Sequence, residues 1–465
     1  MDDLGKNKYV CHILAVPWPT TGHINPMMNL CKLLSSKKPD LLITFVTEET
    51  YTSSSSSSGT ANFPPNIRFS YLPNNILPSV ESRTADVFSF GQAIITKLGA
   101  PFEQILDSFT QTTHPVTTIL TDNSLSWAVH AGAHRNIPVA GLWTTTITEF
   151  SMHCHKNLFE EKQFPTDLEE HANDVVDFIP GISPVRVSDL PRFILENGQS
   201  LAIDAWNLEL PISKIQYLVC PSIYEIESQV FDFLRQKFNF PIYPSGPLIP
   251  YFDQPSTETP HDYIEWLNSQ PTNSVLYVSM GSTYSLSSAQ TDEMAAGLIS
   301  SGVRFLWVGR ENSFRLKEAC SGHELGLVVP WCDQMRVLRH SSVGGFLTHS
   351  GLSSTFEAGF FGVPMLTFPL AGDQFPNSKL VVEDWKVGWR LRKELGVGNE
   401  LITSREAIAK TVHKFMDING SERRELSERS KRFQEIVKGA TSSKGGSSDA
   451  NLDAFIKDIT QGHAH

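Results

Sequence analysis

Short apolar, β-branched runs alternate along this chain with longer stretches of helical periodicity. The runs Val10–Val16, Leu41–Val46, Thr117–Thr121 and Pro138–Leu142 predict strands in the first half, with a helix over Asn25–Leu34. Val275–Ser279, Arg304–Val308, Leu327–Val329, Val343–Leu347 and Pro364–Phe368 predict a second set, with helices filling the gaps. Strand and helix alternating in this way predict parallel sheets covered by helices on both faces, an α/β class. The serine run Ser53–Ser58 reads as a surface loop.

At 465 residues the chain exceeds the roughly 250–300 at which one hydrophobic core stops growing, so two domains are expected. The segment Pro244–Pro260, with five prolines, reads as the linker between them. The predicted division is a first domain over 1–243, a linker over 244–260 and a second domain over 261–450. A short amphipathic pattern follows the Gly/Ser-rich Ser442–Ser448, and residues 451–465 are expected to form a helix packing back on the first domain.

Charge narrows the functional classes. The chain carries 50 acidic against 38 basic residues, a net charge of −12, and its basic residues are scattered, so no nucleic-acid partner is expected. No apolar stretch reaches the roughly 20 residues of a membrane span, and the start, with Asp2 and Asp3 before an apolar strand, lacks signal-peptide character. Six dispersed cysteines without a CxxC pair fit reduced thiols. A soluble, cytoplasmic protein is therefore expected, and a monomer. Neither the GxSxG elbow of α/β hydrolases nor GxGxxG after the first strand nor a P-loop occurs.

Open α/β sheets bind ligands at the carboxyl ends of their strands. After Val343–Leu347 comes Thr348-His349-Ser350-Gly351-Leu352-Ser353-Ser354, then a helical pattern from near Thr355. Such a helix N-terminus suits a diphosphate, and Gly351 would let backbone approach it. Alternatively, Ser354-Thr355-Phe356-Glu357 is only a capping box. Ser279 and Ser282, Trp331 and Gln334, and Asp373-Gln374 follow other strands, so four polar ends converge. Trp331 suits stacking on a planar base or, equally, anchoring a core. Asp373 and Gln374 suit sugar hydroxyls or an ordinary turn.

In the first domain, His23 lies in the loop Pro17–His23, with Asn25-Pro26 opening the next helix, while Asp122 and Thr144 end two further strands. His23 and Asp122 could meet as a base and its orienting carboxylate. The competing reading is a structural histidine beside a helix start.

The block from Trp331 to Gln374 resembles the signature of the plant UDP-dependent glycosyltransferases, the inverting family 1 enzymes of GT-B type. Its landmarks run Trp331-Cys332-Asp333-Gln334, Gly345-Phe346-Leu347-Thr348-His349, Gly351, Ser354, Glu357, Gly362-Val363-Pro364, Pro369 and Asp373-Gln374. Gly22-His23-Ile24-Asn25-Pro26 resembles the family's amino-terminal histidine motif, and Gly246-Pro247-Leu248 the start of its linker. The resemblance implies two facing, Rossmann-like, doubly wound domains. It also implies transfer of a sugar, glucose first, from a UDP-sugar to a hydroxyl or carboxyl of a small plant metabolite.

Carried over residue by residue, the likeness implies a uracil stacked on Trp331, with ribose held by Gln334 and Glu357. The diphosphate would lie on His349, Ser354 and Ser282, and the sugar hydroxyls on Asp373 and Gln374, with Thr144 nearby. Cys332, Gly351 and Ser353 complete the expected donor site. His23 would be the general base and Asp122 its partner. UDP-glucose enters as co-substrate, with no cofactor and no metal expected: no Asp-x-Asp motif occurs, and His153-Cys154-His155 has spacing unsuited to one helix face. Phe88, Trp143, Phe150 and Trp206 are candidates for an apolar acceptor pocket taking a phenolic or terpenoid partner. Leu352 and Ser353 stand where the family usually has an aromatic residue and asparagine. That departure leaves two alternatives, a UDP-sugar-binding protein with reduced turnover and a transferase using another UDP-sugar.

Overall fold

The computed structural model describes residues 9–49, 63–73, 76–78, 87–165, 168–191, 194, 212–252, 262–309, 316–318, 320, 325–391 and 402–461. It groups them into two compact units, the first drawn from 1–156, 199–249 and 440–465, the second from 157–198 and 250–439.

In the first unit, strands β1 (Cys11–Val16), β2 (Leu41–Thr47), β3 (Ile67–Tyr71), β4 (Thr118–Asp122) and β5 (Val139–Leu142) belong to a seven-stranded sheet. A short antiparallel pair, β6 (Val175–Val176) and β7 (Val185–Arg186), lies in the second unit. The strands β8 (Tyr217–Cys220) and β9 (Ile242–Pro244) then complete the first sheet, in the order β3-β2-β1-β4-β5-β8-β9. Every pairing is parallel. Each residue of β1 and β2 is buried, as strands covered on both faces must be.

The second unit repeats the architecture with β10 (Val275–Ser279), β11 (Arg304–Val308), β12 (Gly326–Val329), β13 (Val343–Thr348), β14 (Met365–Thr367) and β15 (Gly388–Arg390). Their order is β12-β11-β10-β13-β14-β15, again all parallel. Leu276, Val278, Phe305, Trp307, Leu347 and Phe415 make its fully packed core.

The core is closely packed where β13 meets the helix Arg405–Met416. A Cβ at Gly345 would lie 2.5 Å from the Phe415 ring and 2.9 Å from Met416 Sδ. Gly345→Ala should therefore destabilise the fold by about 1–3 kcal/mol, seen as a lower urea midpoint at unchanged slope.

Two segments depart from their position in the sequence. Asp189 is buried and paired with Arg390 at 2.5 Å; Arg186 reaches Glu383 at 2.6 Å. Buried Lys379 bonds Ser183 Oγ and Asp384, the latter in the π-helical turn Leu380–Asp384. These contacts hold residues 183–189 inside the second unit. The carboxy-terminal helix, Ser447–Gln461, belongs to the first unit: Phe455 packs on Tyr217 and Tyr243, the Tyr243 hydroxyl bonds Asp458, and Lys37 pairs with Asp449 and Asp453.

The first helix spans Thr21–Lys37, beginning four residues before the predicted start. His23 is therefore not in a loop but in the first helical turn, its N–H bonding Thr20 O at 3.0 Å, and Pro26 is inside the helix. Proline is favoured at a first helical position, which drew the predicted start too far along.

Candidate active site

In each sheet the strand order reverses at one point, between β1 and β4 in the first unit and between β10 and β13 in the second. Loops leave the carboxyl ends there in opposite directions and open a crevice. His23 and Asp122 lie at the ends of the two strands at the first reversal and Ser282 and His349 after the two at the second, while Trp331 follows the edge strand β12 and Asp373 and Gln374 follow β14.

In the first unit, His23 Nδ1 lies 2.5 Å from Asp122 Oδ2 at the end of β4, and 3.0 Å from Thr144 Oγ1 just after β5. Asp122 is 2% exposed and its other oxygen accepts the Ser124 N–H at 3.0 Å. A buried carboxylate beside Nδ1 makes that nitrogen the protonated one, so the imidazole presents Nε2 as its basic atom. His23 keeps 24% exposure of its side chain, enough to be reached.

The loop carrying Thr144 is pinned from several sides. Trp143 Nε1 donates to Thr146 O, Ile147 N to Ser222 Oγ and Thr148 N to Glu227 Oε1. Buried Glu149 accepts hydrogen bonds from Thr145 Oγ1 and pairs with His153 at 3.3 Å. Trp143 and Phe150 pack on one another at 5.0 Å, 4% and 0% exposed. Trp206 and the side chain of Phe88 lie outside the described residues. His155 turns away from His153, its Nδ1 on Ser151 O and its Nε2 accepting from Lys237.

In the second unit the helix after β13 runs Leu352–Phe361, with Gly351 as its N-cap and no side-chain cap. The capping-box reading is thus corrected: Ser354 is inside the helix, and its Oγ accepts from Gln334 Nε2 at 2.9 Å. Buried Ser350 takes a left-handed backbone, φ 69°, to turn strand into helix, and Asn377 Nδ2 bonds its carbonyl at 3.0 Å. His349 is cradled by two glycines: a Cβ at Gly281 or at Gly351 would fall 2.5 Å from its Nε2. Half-buried Ser282 follows Gly281 after β10.

Trp331 is 55% exposed, which removes the core-anchor alternative, while its neighbour Cys332 is buried. Gln334 Nε2 donates to Glu357 Oε2 at 2.5 Å and its Oε1 accepts the Tyr277 hydroxyl at 2.9 Å. Burial lifts the Glu357 carboxyl to about 7, against the opposing bond from Gln334 and helped by nearby Asp333. Asp373 Oδ2 accepts from Asn377 at 2.7 Å, and Gln374 Oε1 staples its own loop by accepting the amides of Leu370 and Ala371. Leu352 is buried and Ser353 half-buried at the helix start.

Tyr277, Thr145 and Glu149 were not among the sequence candidates. Tyr277 sits in an apolar strand and reads as core.

A family model described as UDP-glucoronosyl and UDP-glucosyl transferase matches residues 230–406. The chain is 44% identical to UDP-glycosyltransferase 87A1 of Arabidopsis thaliana over 452 residues, covering 96% of this chain and 100% of that protein. This chain belongs to the plant UDP-glycosyltransferases. It is also 43% identical to UDP-glycosyltransferase 87A2 of the same plant, over 97% of both chains. The crystal structure of UGT71G1 from Medicago truncatula, complexed with UDP-glucose, matches with a TM-score of 0.81 and 25% identity, over 99% of this chain and 100% of that one. The protein is accordingly an enzyme of plant family 1 with a GT-B fold, moving a sugar from a UDP-sugar donor. No helix among its described residues is long and apolar enough to cross a membrane, and its six cysteines form no disulfide.

Proposed function

We propose that this glycosyltransferase moves glucose from UDP-glucose to a hydroxyl or carboxyl of a small apolar plant metabolite, with inversion, using His23 as general base. The observation that carries the reading is the 2.5 Å pair between His23 Nδ1 and buried Asp122, at the point where the first sheet reverses its strand order. His23 Nε2 takes the acceptor proton as the acceptor oxygen bonds to the anomeric carbon, and the bond from that carbon to the diphosphate breaks. Asp122 stabilises the imidazolium that results. Trp331 carries the uracil and Glu357 the ribose. The amides opening the helix Leu352–Phe361, with His349, Ser282 and Ser354, receive the charge on departing UDP. Asp373 and Gln374 bind the sugar. The free cysteines fit a cytoplasmic setting, and the reaction as written needs no metal.

Glucose as the sugar is supported by the UDP-glucose complex of the Medicago truncatula structure. Leu352 and Ser353 favour a second reading, weak donor binding or a different UDP-sugar, because serine offers a phosphate one donor where asparagine offers two. UDP release from UDP-glucose, UDP-xylose and UDP-galactose with a panel of phenolic, terpenoid and small-acid acceptors decides between them. Fastest acceptor-dependent release with UDP-glucose supports the proposal. A different preferred donor, or saturable binding with no transfer, replaces it.

Glu357 gives the donor site a pH dependence. The ionised carboxylate accepts ribose hydroxyls, so affinity for UDP-glucose should hold above pH 7 and decline as the pH falls through about 7, where the carboxyl takes up its proton. Titrating binding from pH 5.5 to 8.5 in wild type and Glu357→Gln checks this, because other titrating groups act in both. The difference between the two curves should close toward low pH.

A further inference from the structure

Asp373 stands at the N-cap of the helix Gln374–Lys379, where an aspartate ordinarily spends its carboxylate on the first amides of the helix. Here its backbone is already helical, φ −65° and ψ −13°, and the side chain makes no capping bond. The carboxylate is held by Asn377 instead, whose Nδ2 donates to Asp373 Oδ2 at 2.7 Å and to the Ser350 carbonyl at 3.0 Å. Asn377 is 0% exposed, and its Oδ1 accepts no hydrogen bond from a described residue. Both of its neighbours are acceptors, so the amide has one workable orientation, with each N–H spent.

The Ser350 carbonyl belongs to the left-handed residue that turns β13 into the helix Leu352–Phe361, the turn proposed to receive the diphosphate. One buried amide therefore ties that turn to the half-buried carboxylate proposed to meet the sugar. Asp373 also lies near the loop after β10 that carries Ser282: burial first, and then the Asp373 charge, push the phenol of Tyr284 above its usual range. The diphosphate turn has a tie of its own, the Ser350 N–H on Thr348 Oγ1 at 3.1 Å, which does not pass through Asn377. We infer that Asn377 is a positioning residue for the donor sugar: it sets Asp373 against the diphosphate turn, so that recognition of the sugar hydroxyls depends on it and nucleotide binding does not. The inference rests on the proposed sugar site and adds to it a residue that never touches the sugar. An N–H aimed at a carboxylate makes a short, strong bond and fixes the rotamer of the group that meets the ligand.

The test compares kcat/KM for UDP-glucose with that for its 2-, 3-, 4- and 6-deoxy analogues, alongside calorimetric binding of UDP. A hydroxyl bonded to a charged carboxylate makes the analogue lacking it roughly 10- to 100-fold poorer, and Asp373→Asn identifies that position as the one whose penalty shrinks. Asn377→Ala and Asn377→Leu both remove the two donors, one leaving space and the other filling it. Each should cut the same penalty to about 3-fold or less, with UDP affinity within about threefold of wild type showing that the second unit has folded. Adding either to Asp373→Asn should lower the penalty no further. An unchanged penalty in both variants means that Asn377 only packs, and overturns the inference. A fall in UDP affinity that matches the fall with UDP-glucose means that it acts on the diphosphate turn, and also overturns it. A wild-type profile flat across all four analogues overturns the sugar site itself and the inference with it.

Discussion

Replacing His23 by alanine is expected to lower acceptor-dependent UDP release by about 10²–10⁴-fold while leaving UDP-glucose affinity within about twofold. The expectation follows from geometry. The Nδ1 proton is directed to Asp122 at 2.5 Å, and a 24% exposed side chain leaves the ring accessible to an incoming hydroxyl. Alanine removes the base and none of the groups proposed to hold uridine or diphosphate. Steady-state release at saturating donor, paired with calorimetric binding, separates the two effects. Transfer persisting within tenfold of wild type would mean that another group accepts the proton.

Asp122→Asn should cost nearly as much, roughly 10³–10⁴-fold in kcat, by a different route. Asparagine nearly matches aspartate in shape, and its carbonyl can still accept the Ser124 amide as Asp122 Oδ1 does. The atom facing His23 is then an amide nitrogen, a donor where the imidazole needs an acceptor. The ring responds by carrying its proton on Nε2, which closes the position that should receive the acceptor proton. Because the substitution also removes a buried charge, thermal unfolding should change little, and the loss should appear in turnover alone. A loss smaller than tenfold would show that Thr144, 3.0 Å from the same nitrogen, suffices to orient the ring.

Much of this site was legible because strand ends are legible. β1 and β4 are apolar runs, and residues that follow such runs in an α/β chain emerge at one edge. His23 and Asp122 could thus be paired without coordinates, although their strands turn out to be neighbours across the reversal of the sheet. Short strands escaped detection for a physical reason. β15, Gly388-Trp389-Arg390, has too little apolar character of its own and is held by pairing with β14. β9 ends in Pro244, where the linker was expected to start. The alternative of Ser354 as a cap stayed open in the sequence because serine and glutamate at that spacing fit either a helix start or, as here, the inside of a helix facing Gln334. Tyr277 was invisible because a tyrosine in a buried strand shows in sequence only its ring, while its hydroxyl partner lies 57 positions further along.

The ion pairs around Asp189 bear on how such enzymes can be recombined. A hybrid of two relatives joined within the proline-rich stretch would draw Asp189, Arg186 and Ser183 from one parent and Arg390, Glu383 and Lys379 from the other. Asp189 is buried, so a parent lacking a matching arginine would leave a charge stranded, which costs far more than an exposed pair contributes. The same junction would part the helix Ser447–Gln461 from Tyr217 and Tyr243. Exchanges that move residues 157–198 with the second parent and 440–465 with the first keep both sets of partners in one lineage.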